Sequence, residues 1–521
     1  MQRALRLSAL ALCLVLPTTL ALAGQGPAAA PVAGVTQTPA DGPALPLSMD
    51  EAVELALEAN LGLRADRMTV DTASHAVAAA RAAFLPQFGS TLSRSSQRSV
   101  PNDFTQGADD ITSQGVTVNS TFTQVLPALG TRYDLSWNNN RSSQSGGNPL
   151  FNPFLRSSFS FNVTQPLLRG LTIDASRAAL DASQRRRVIA DVQLEQQVVR
   201  LESTVRHAYL DLISAIQGLR VAQQNLELRQ SSLADARARV AVGAAAPIDL
   251  ISAEADVASN LEQVLLAEAQ IATREDVLRT LILDPSQADF WDVRLIPTDV
   301  MRPEPHAIDL DAAIARALDN RLDLVVARRQ IEIDDLNLRA GSNAALPAVD
   351  LRVTYATNGT GGTRFQYGGF PPQVEGRSDK TFGSVLGDTF GAAYPNWTIG
   401  LNVTYPIGRT AAEAAHAQQQ VAWRQTAIEL QLLQVVVVQQ VRDAARQVDT
   451  SYQRVLATQA ALRASEQQLE AEQRRFAAGL STTLELQVRQ QQLASARTAE
   501  LNAVIAHTRA LIEFERVQRT Q

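Results

Sequence analysis

From Phe159 to Thr164 the chain alternates strictly: Phe159, Phe161 and Val163 are interleaved with Ser160, Asn162 and Thr164. Alternation with period two predicts a strand with one apolar and one wet face. Pro166 ends that ladder, and beyond Gly170 a run of about 70 residues without a further proline predicts a very long helix. The junction recurs, because Asn402-Val403-Thr404-Tyr405-Pro406-Ile407 repeats Asn162-Val163-Thr164-Gln165-Pro166-Leu167. Similar alternation marks Val116, Val118 and Phe122, then Tyr133, Leu135 and Trp137. In the second half it marks Leu351, Val353 and Tyr355, then Trp397, Ile399, Leu401 and Val403. Residues 139–156 and the Gly-rich 357–395 are expected as loops, and 88–98 as a further strand-like segment.

Helical spacing appears before each strand region. Val53, Leu57, Leu61 and Leu63 predict a helix from Leu47 to Phe84, stopped by Leu85-Pro86. The pattern returns from Ile308 to Ala345, stopped by Leu346-Pro347, with Asp311, Ala313, Ala317 and Leu318 matching Asp50, Ala52, Ala56 and Leu57. This is an internal duplication. The long helices carry heptad-like spacing, from Val205 through Leu212, Leu226 and Leu233 to Val240, and from Val441 through Val448, Leu462 and Leu469 to Phe476. The offset between halves shrinks from 240 residues at the prolines to 236 along the helices, so the second helix is expected to lack about one turn. Val435 to Val438 lie inside a stretch without Gly or Pro and are assigned to helix.

Each long helix is expected to end in a tight reversal. Arg239, Val240 and Gly243 precede Pro247 and Asp249, and Arg475, Phe476 and Gly479 precede Thr482 and Glu485. Glycine suits the left-handed position that ends a helix, and arginine complements its carbonyl end. A helix of some 73 residues spans about 110 Å, far more than a bilayer.

The two faces of the strands, aromatic on one side and Ser, Thr and Asn on the other, fit a barrel with lipid outside and water inside, and fit a half-buried sheet as well. The N-terminus decides between them. Arg3 and Arg6, the apolar Leu7–Leu22 and an Ala21-Leu22-Ala23 site predict a signal peptide over 1–23, with a flexible leader over 24–46. Cys13, the single cysteine, falls inside that signal; lipidation there is the rival to simple cleavage. Domain boundaries follow: a first repeat over 47–284, a linker over 285–307 containing Pro285, Pro297, Pro303 and Pro305, and a second repeat over 308–521. Four to six strands cannot close a barrel, which needs about eight, so several chains are required.

Composition excludes other classes. The net charge of −6 disfavours a nucleic-acid partner. After the signal no run of 18 apolar residues occurs, so any membrane crossing must use strands. The five histidines, His75, His207, His306, His416 and His507, have no metal-ligand spacing, and no Walker-type loop, His-Glu-x-x-His or Gly-x-Ser-x-Gly element is present. No enzymatic activity is expected.

The order helix, Leu-Pro, strands, Pro, long helix, glycine reversal and return helix, present twice, resembles the outer-membrane efflux protein family typified by TolC. Gln165-Pro166-Leu167-Leu168-Arg169-Gly170 and the two Arg-x-x-x-Gly turns carry that resemblance most specifically. It implies an α+β membrane protein: a homotrimer with a 12-stranded β-barrel in outer-membrane lipid, continuous with a 12-helix periplasmic barrel. It further implies an inner-membrane pump and a periplasmic adaptor as partners, in efflux or type I secretion, and no cofactor. Two departures stand out. The first half has up to four strand-like segments where the family uses two, so 88–98 with 115–125 is expected as an elaboration. Phe476 and Ser481 stand where the family often has a tyrosine and an arginine.

Four prolines, Pro86, Pro166, Pro347 and Pro406, are then the barrel-to-helix joints, and the turns at Gly243 and Gly479 the adaptor-docking tip. Asp249 and Glu485 either form acidic rings at an entrance constriction or cap their helices. The competing class is a secreted or surface-anchored trimeric coiled-coil protein with a structural or adhesive role, which would not place matched strands inside each repeat.

Overall fold

The computed structural model describes residues 43–100, 110–146, 148–243, 246–299, 301–369, 372–405, 407–408 and 410–519. The signal peptide, Cys13, most of the leader and Pro406 lie outside them. The chain begins with β1 (Ala44–Leu47), α1 (Met49–Ala59) and α2 (Leu61–Ala82). Four strands follow: β2 (Gln87–Ser99), β3 (Ile111–Val125), β4 (Arg132–Ser145) and β5 (Phe151–Pro166). Then come α3 (Ala175–Ala241), α4 (Pro247–Ile282) and β6 (Arg294–Pro297). The second half has α5 (Leu310–Asn320), α6 (Leu322–Ala344), β7 (Ala348–Gly368), β8 (Gln373–Lys380), α7 (Phe382–Phe390), β9 (Pro395–Thr404), α8 (Ala411–Ala477) and α9 (Thr483–Arg519).

Several expectations are corrected. The helix expected over 47–84 breaks at Asn60, whose side chain accepts from Leu63 N at 3.0 Å and so caps α2, while its amide reaches Leu281 O. The helix expected over 308–345 breaks likewise at Arg321. The end of the leader, with Leu47 that follows it, forms Ala44–Leu47, which pairs in parallel with β6 inside the expected linker. The two long helices each have 67 residues, about 100 Å, and their caps Asp174 and Thr410 stand 236 apart. The four missing residues therefore come out of the segment between proline and cap, and no helical turn is lost.

The loops expected over 139–156 and 357–395 are largely ordered structure. β4 runs on to Ser145 and β5 starts at Phe151, while β7 extends to Gly368 and pairs with β8. These outer portions lack apolar alternation, so only backbone pairing reveals them. The strand order is β2-β3-β4-β5-β7, with β9 on the first half of the free edge of β7 and β8 on its outer half. The segment 88–98 is no appendage: β2 is part of this sheet. The resemblance implies four strands per chain, and this chain sets six long ones side by side.

Register makes the two faces coherent across all six. Phe88, Phe122, Leu135, Phe161, Tyr355 and Trp397 are successive partners in one row on the apolar face. The adjoining row, Gly89, Thr121, Ser136, Ser160, Ala356 and Asn396, lies on the opposite, mostly polar face. α7 lies against the apolar face: a Cβ on Gly361 would come 2.4 Å from Val385 Cγ2, and Phe390 meets the rings of Trp137 and Phe159.

The helices pack as antiparallel pairs, α3 with α4 and α8 with α9, with heptad-spaced residues such as Leu233 and Leu469 between them. The main cores sit halfway along the rod, where α1 packs on α3 and α4, and α5 on α8 and α9. Tyr209, fully buried in the first, places its hydroxyl 2.9 Å from both Leu47 O and Asp299 Oδ2. Among the described residues no helix is long and apolar enough to cross a membrane.

Candidate functional site

The joints form first. Pro86 directly precedes β2, Pro347 directly precedes β7, and Pro166 ends β5, each placing the residue without an amide donor at the sheet boundary. Past Pro166 the backbone reaches Gly170, at φ +84, whose N–H donates to Asn343 Oδ1 at 2.7 Å and so ties this joint to the end of α6. Asp174 caps α3 through Arg177 N at 2.8 Å. The Arg177 side chain pairs with Asp174 at 2.9 Å and donates to Leu171 O and Gly170 O. It also reaches Ala128 O in the reversal between β3 and β4. That reversal therefore lies at the helical end of the sheet. The sequence reading missed Arg177; its one legible signal was the spacing of three from Asp174.

At the far end of the rod the structure brings both expected tip segments together. Gly243 and Gly479 have φ of +71 and +73, the left-handed conformation that closes each helix. Arg239, on the last turn of α3, lies over the ring of Phe476 on the last turn of α8, 3.9 Å from its centroid. Val240 is half-buried beside it. Arg475 pairs with Glu472, a nearly fully buried carboxylate, at 3.2 Å. The Ser481 hydroxyl lies between Glu472 and Glu485, 2.8 Å from the latter.

Both candidate acids make capping contacts. Asp249 accepts from Ala246 N at 3.2 Å. Glu485 closes the Thr482 cap, with its own N–H donating to Thr482 Oγ1 at 3.3 Å. The Ser481 hydroxyl, then the Thr482 backbone, hold the Glu485 carboxyl below its usual range. Neither contact fills the remaining carboxylate lone pairs; Glu485 is exposed at the tip and Asp249 is half-buried.

Another contact between the helix pairs lies further up the rod and was not foreseen. Arg229 of α3, almost wholly buried, reaches Asp256 of α4 at 3.4 Å and Gln490 and Gln491 of α9 at 3.3 and 3.4 Å. Gln487 completes it by donating to Asp256. The described residues hold no cluster of His, Cys, Asp and Glu suited to a metal ion.

A two-faced sheet standing on a rod of paired helices, with glycine reversals at the remote end, defines a membrane-anchored conduit architecture. The chain matches the family model described as "Outer membrane efflux protein" over residues 117–282 and 313–517, and it belongs to that family. This membership places it in the outer membrane, with a periplasmic extension. It is 24% identical over 299 residues to the outer membrane efflux protein BepC of Brucella suis biovar 1 (strain 1330). That alignment spans 57% of this chain and 58% of BepC, less than two thirds of the relative. Among solved structures, CusC is similar at TM-score 0.64 and 14% identity, covering 91% of this chain and 92% of that one. The CmeC outer membrane channel of Campylobacter jejuni is similar at TM-score 0.63 and 14% identity, covering 90% and 85%.

Proposed function

We propose that three copies of this chain form one continuous duct, a passive exit for substrates that an inner-membrane pump delivers through a periplasmic adaptor. The observation that carries the reading is the coherent apolar and polar parity of the six-strand sheet, which has lipid and water as its natural solvents but no closure within one chain. The rod supports it. Val421, Ile428, Leu432 and Val435 of α8 follow heptad-like spacing yet are each more than 60% exposed, a stripe for another helix to cover. Four long helices per chain then give twelve around the axis. Two structural neighbours, CusC, described for its transmembrane channel formation, and the CmeC outer membrane channel, agree with a duct.

In this reading the turns at Gly243 and Gly479 dock the adaptor, and Asp249 and Glu485 ring the entrance with carboxylates that favour cations. The joints at Pro86, Pro166, Pro347 and Pro406 pass the membrane barrel into the tunnel. The test is to purify the protein from outer membranes, measure its mass in detergent and insert it in planar bilayers. A trimer that conducts ions is expected; a soluble, non-conducting rod would overturn the duct and favour the structural coiled-coil class.

A further inference from the structure

The six-strand sheet sets the number of strands in the membrane. β4 cannot be an edge, because its 132–142 segment is paired on one side with β3 and on the other with β5. Among the described residues β2 is paired with β3 alone, and it is exposed along its whole length. At the opposite edge β9 is paired, among the described residues, with β7 alone, and Trp397, Ile399, Leu401 and Val403 are all more than 60% exposed. Such open edges are templates for another strand. Every pairing from β2 through β9 is antiparallel, so with six strands β2 and β9 run in opposite directions. Both edges also meet the helices at the same end of the sheet, β2 through Pro86 and β9 toward α8. A second copy rotated about the barrel axis thus offers its β9 edge, antiparallel and with matching faces, to the β2 edge of the first.

We infer that the partner of the β2 edge is β9 of a neighbouring copy, and that three copies close an 18-stranded barrel rather than one of 12. This rests on the trimeric duct proposed above. Barrel diameter grows roughly linearly with strand number, so the membrane section would be about half as wide again as a 12-stranded one. The helical tunnel keeps twelve helices, so the extra hairpin widens the exit alone. The reversal held by Arg177 is where the added pair turns back at the mouth of the tunnel.

The test is disulfide trapping in the membrane. Thr91→Cys or Ser93→Cys on the polar face of β2 is combined with Thr398→Cys or Asn402→Cys on that of β9, in all four pairings, because neighbouring antiparallel strands bring facing Cβ atoms within disulfide reach. The sole native cysteine, Cys13, is replaced. A four-strand closure would instead put β4 beside β9, so Ser136→Cys with Thr398→Cys is the matched control. At least one β2–β9 pairing should convert most of the monomer band into a reducible trimer band. Cross-linking through β4 and not β2 would overturn the 18-stranded barrel while leaving the trimer. Cross-linking at neither seam, with a monomer in detergent, would overturn the trimeric reading as well.

Discussion

The guanidinium of Arg239 lies 3.9 Å from the ring centroid of Phe476, and this one contact joins the last turns of α3 and α8. An Arg over an aromatic face at an exposed site contributes about 0.5–1 kcal/mol. Arg239→Ala and Phe476→Leu are each expected to loosen the tip, and the double variant to add nothing beyond the larger single effect. The readouts are hydrogen exchange of the two turns and single-channel conductance, which should rise in all three. Strictly additive changes would show that the two side chains act separately.

Tyr209 fixes the middle of the rod, where α1 enters. Its hydroxyl sits between Leu47 O and Asp299 Oδ2, and burial, reinforced by the Asp299 carboxylate, pushes its pKa up to about 12. Tyr209→Phe keeps the ring in its apolar site while removing the one O–H that Leu47 O and Asp299 Oδ2 share. A loss of roughly 1–3 kcal/mol is expected, the cost of leaving buried polar groups unmatched. Denaturant unfolding of the purified protein measures it; an unchanged midpoint would mean that water replaces the hydroxyl.

The sequence revealed elements whose signal is local. Glycine turns, prolines and heptads are legible because each acts within a few residues, and Gly243, Gly479 and Phe476 stand where the pattern put them. The extent of the sheet was not legible. β2 from Gln87 to Ser99 has only Phe88 and Leu92 on its apolar face, and the outer part of β4, Asn138 to Ser145, has no apolar residue at all. Such strands are specified by backbone pairing with a neighbour rather than by their own alternation. The expected helices ran through both Asn60, which has the residue type of a cap, and Arg321 in the matching place, which does not. Arg321 works through partners far apart in sequence, Gln440 and Val517 O, besides Asp323.

At Gly243 and Gly479 a Cβ would meet none of the described residues within 4 Å, so the cost of a side chain among them is its backbone conformation. For an L-residue this is about 1–2 kcal/mol. Replacing both glycines with valine should leave the trimer intact and abolish adaptor pull-down. Asparagine tolerates the left-handed region, so the double Asn variant separates two causes. Pull-down retained with Asn would show that docking needs the turn geometry; loss with both would show that the adaptor approaches the bare backbone. Full pull-down with valine would remove the tip from the docking surface.

His207 gives the rod a pH dependence. It is half-buried on α3, and burial first, then the positive charge of Arg509, hold its pKa below the ordinary value, with Glu513 and Asp211 opposing and Arg516 adding to the shift. A histidine whose folded pKa is depressed is more easily protonated when unfolded. Its contribution is therefore complete above the ordinary value of about 6.5 and lost as pH falls below it toward the folded value. The thermal midpoint should accordingly fall between pH of about 7.5 and about 5.5, more steeply in the wild type than in His207→Gln. The variant keeps a polar side chain of similar reach but cannot take up the proton. Parallel pH profiles for the two proteins would assign the acid sensitivity to other groups.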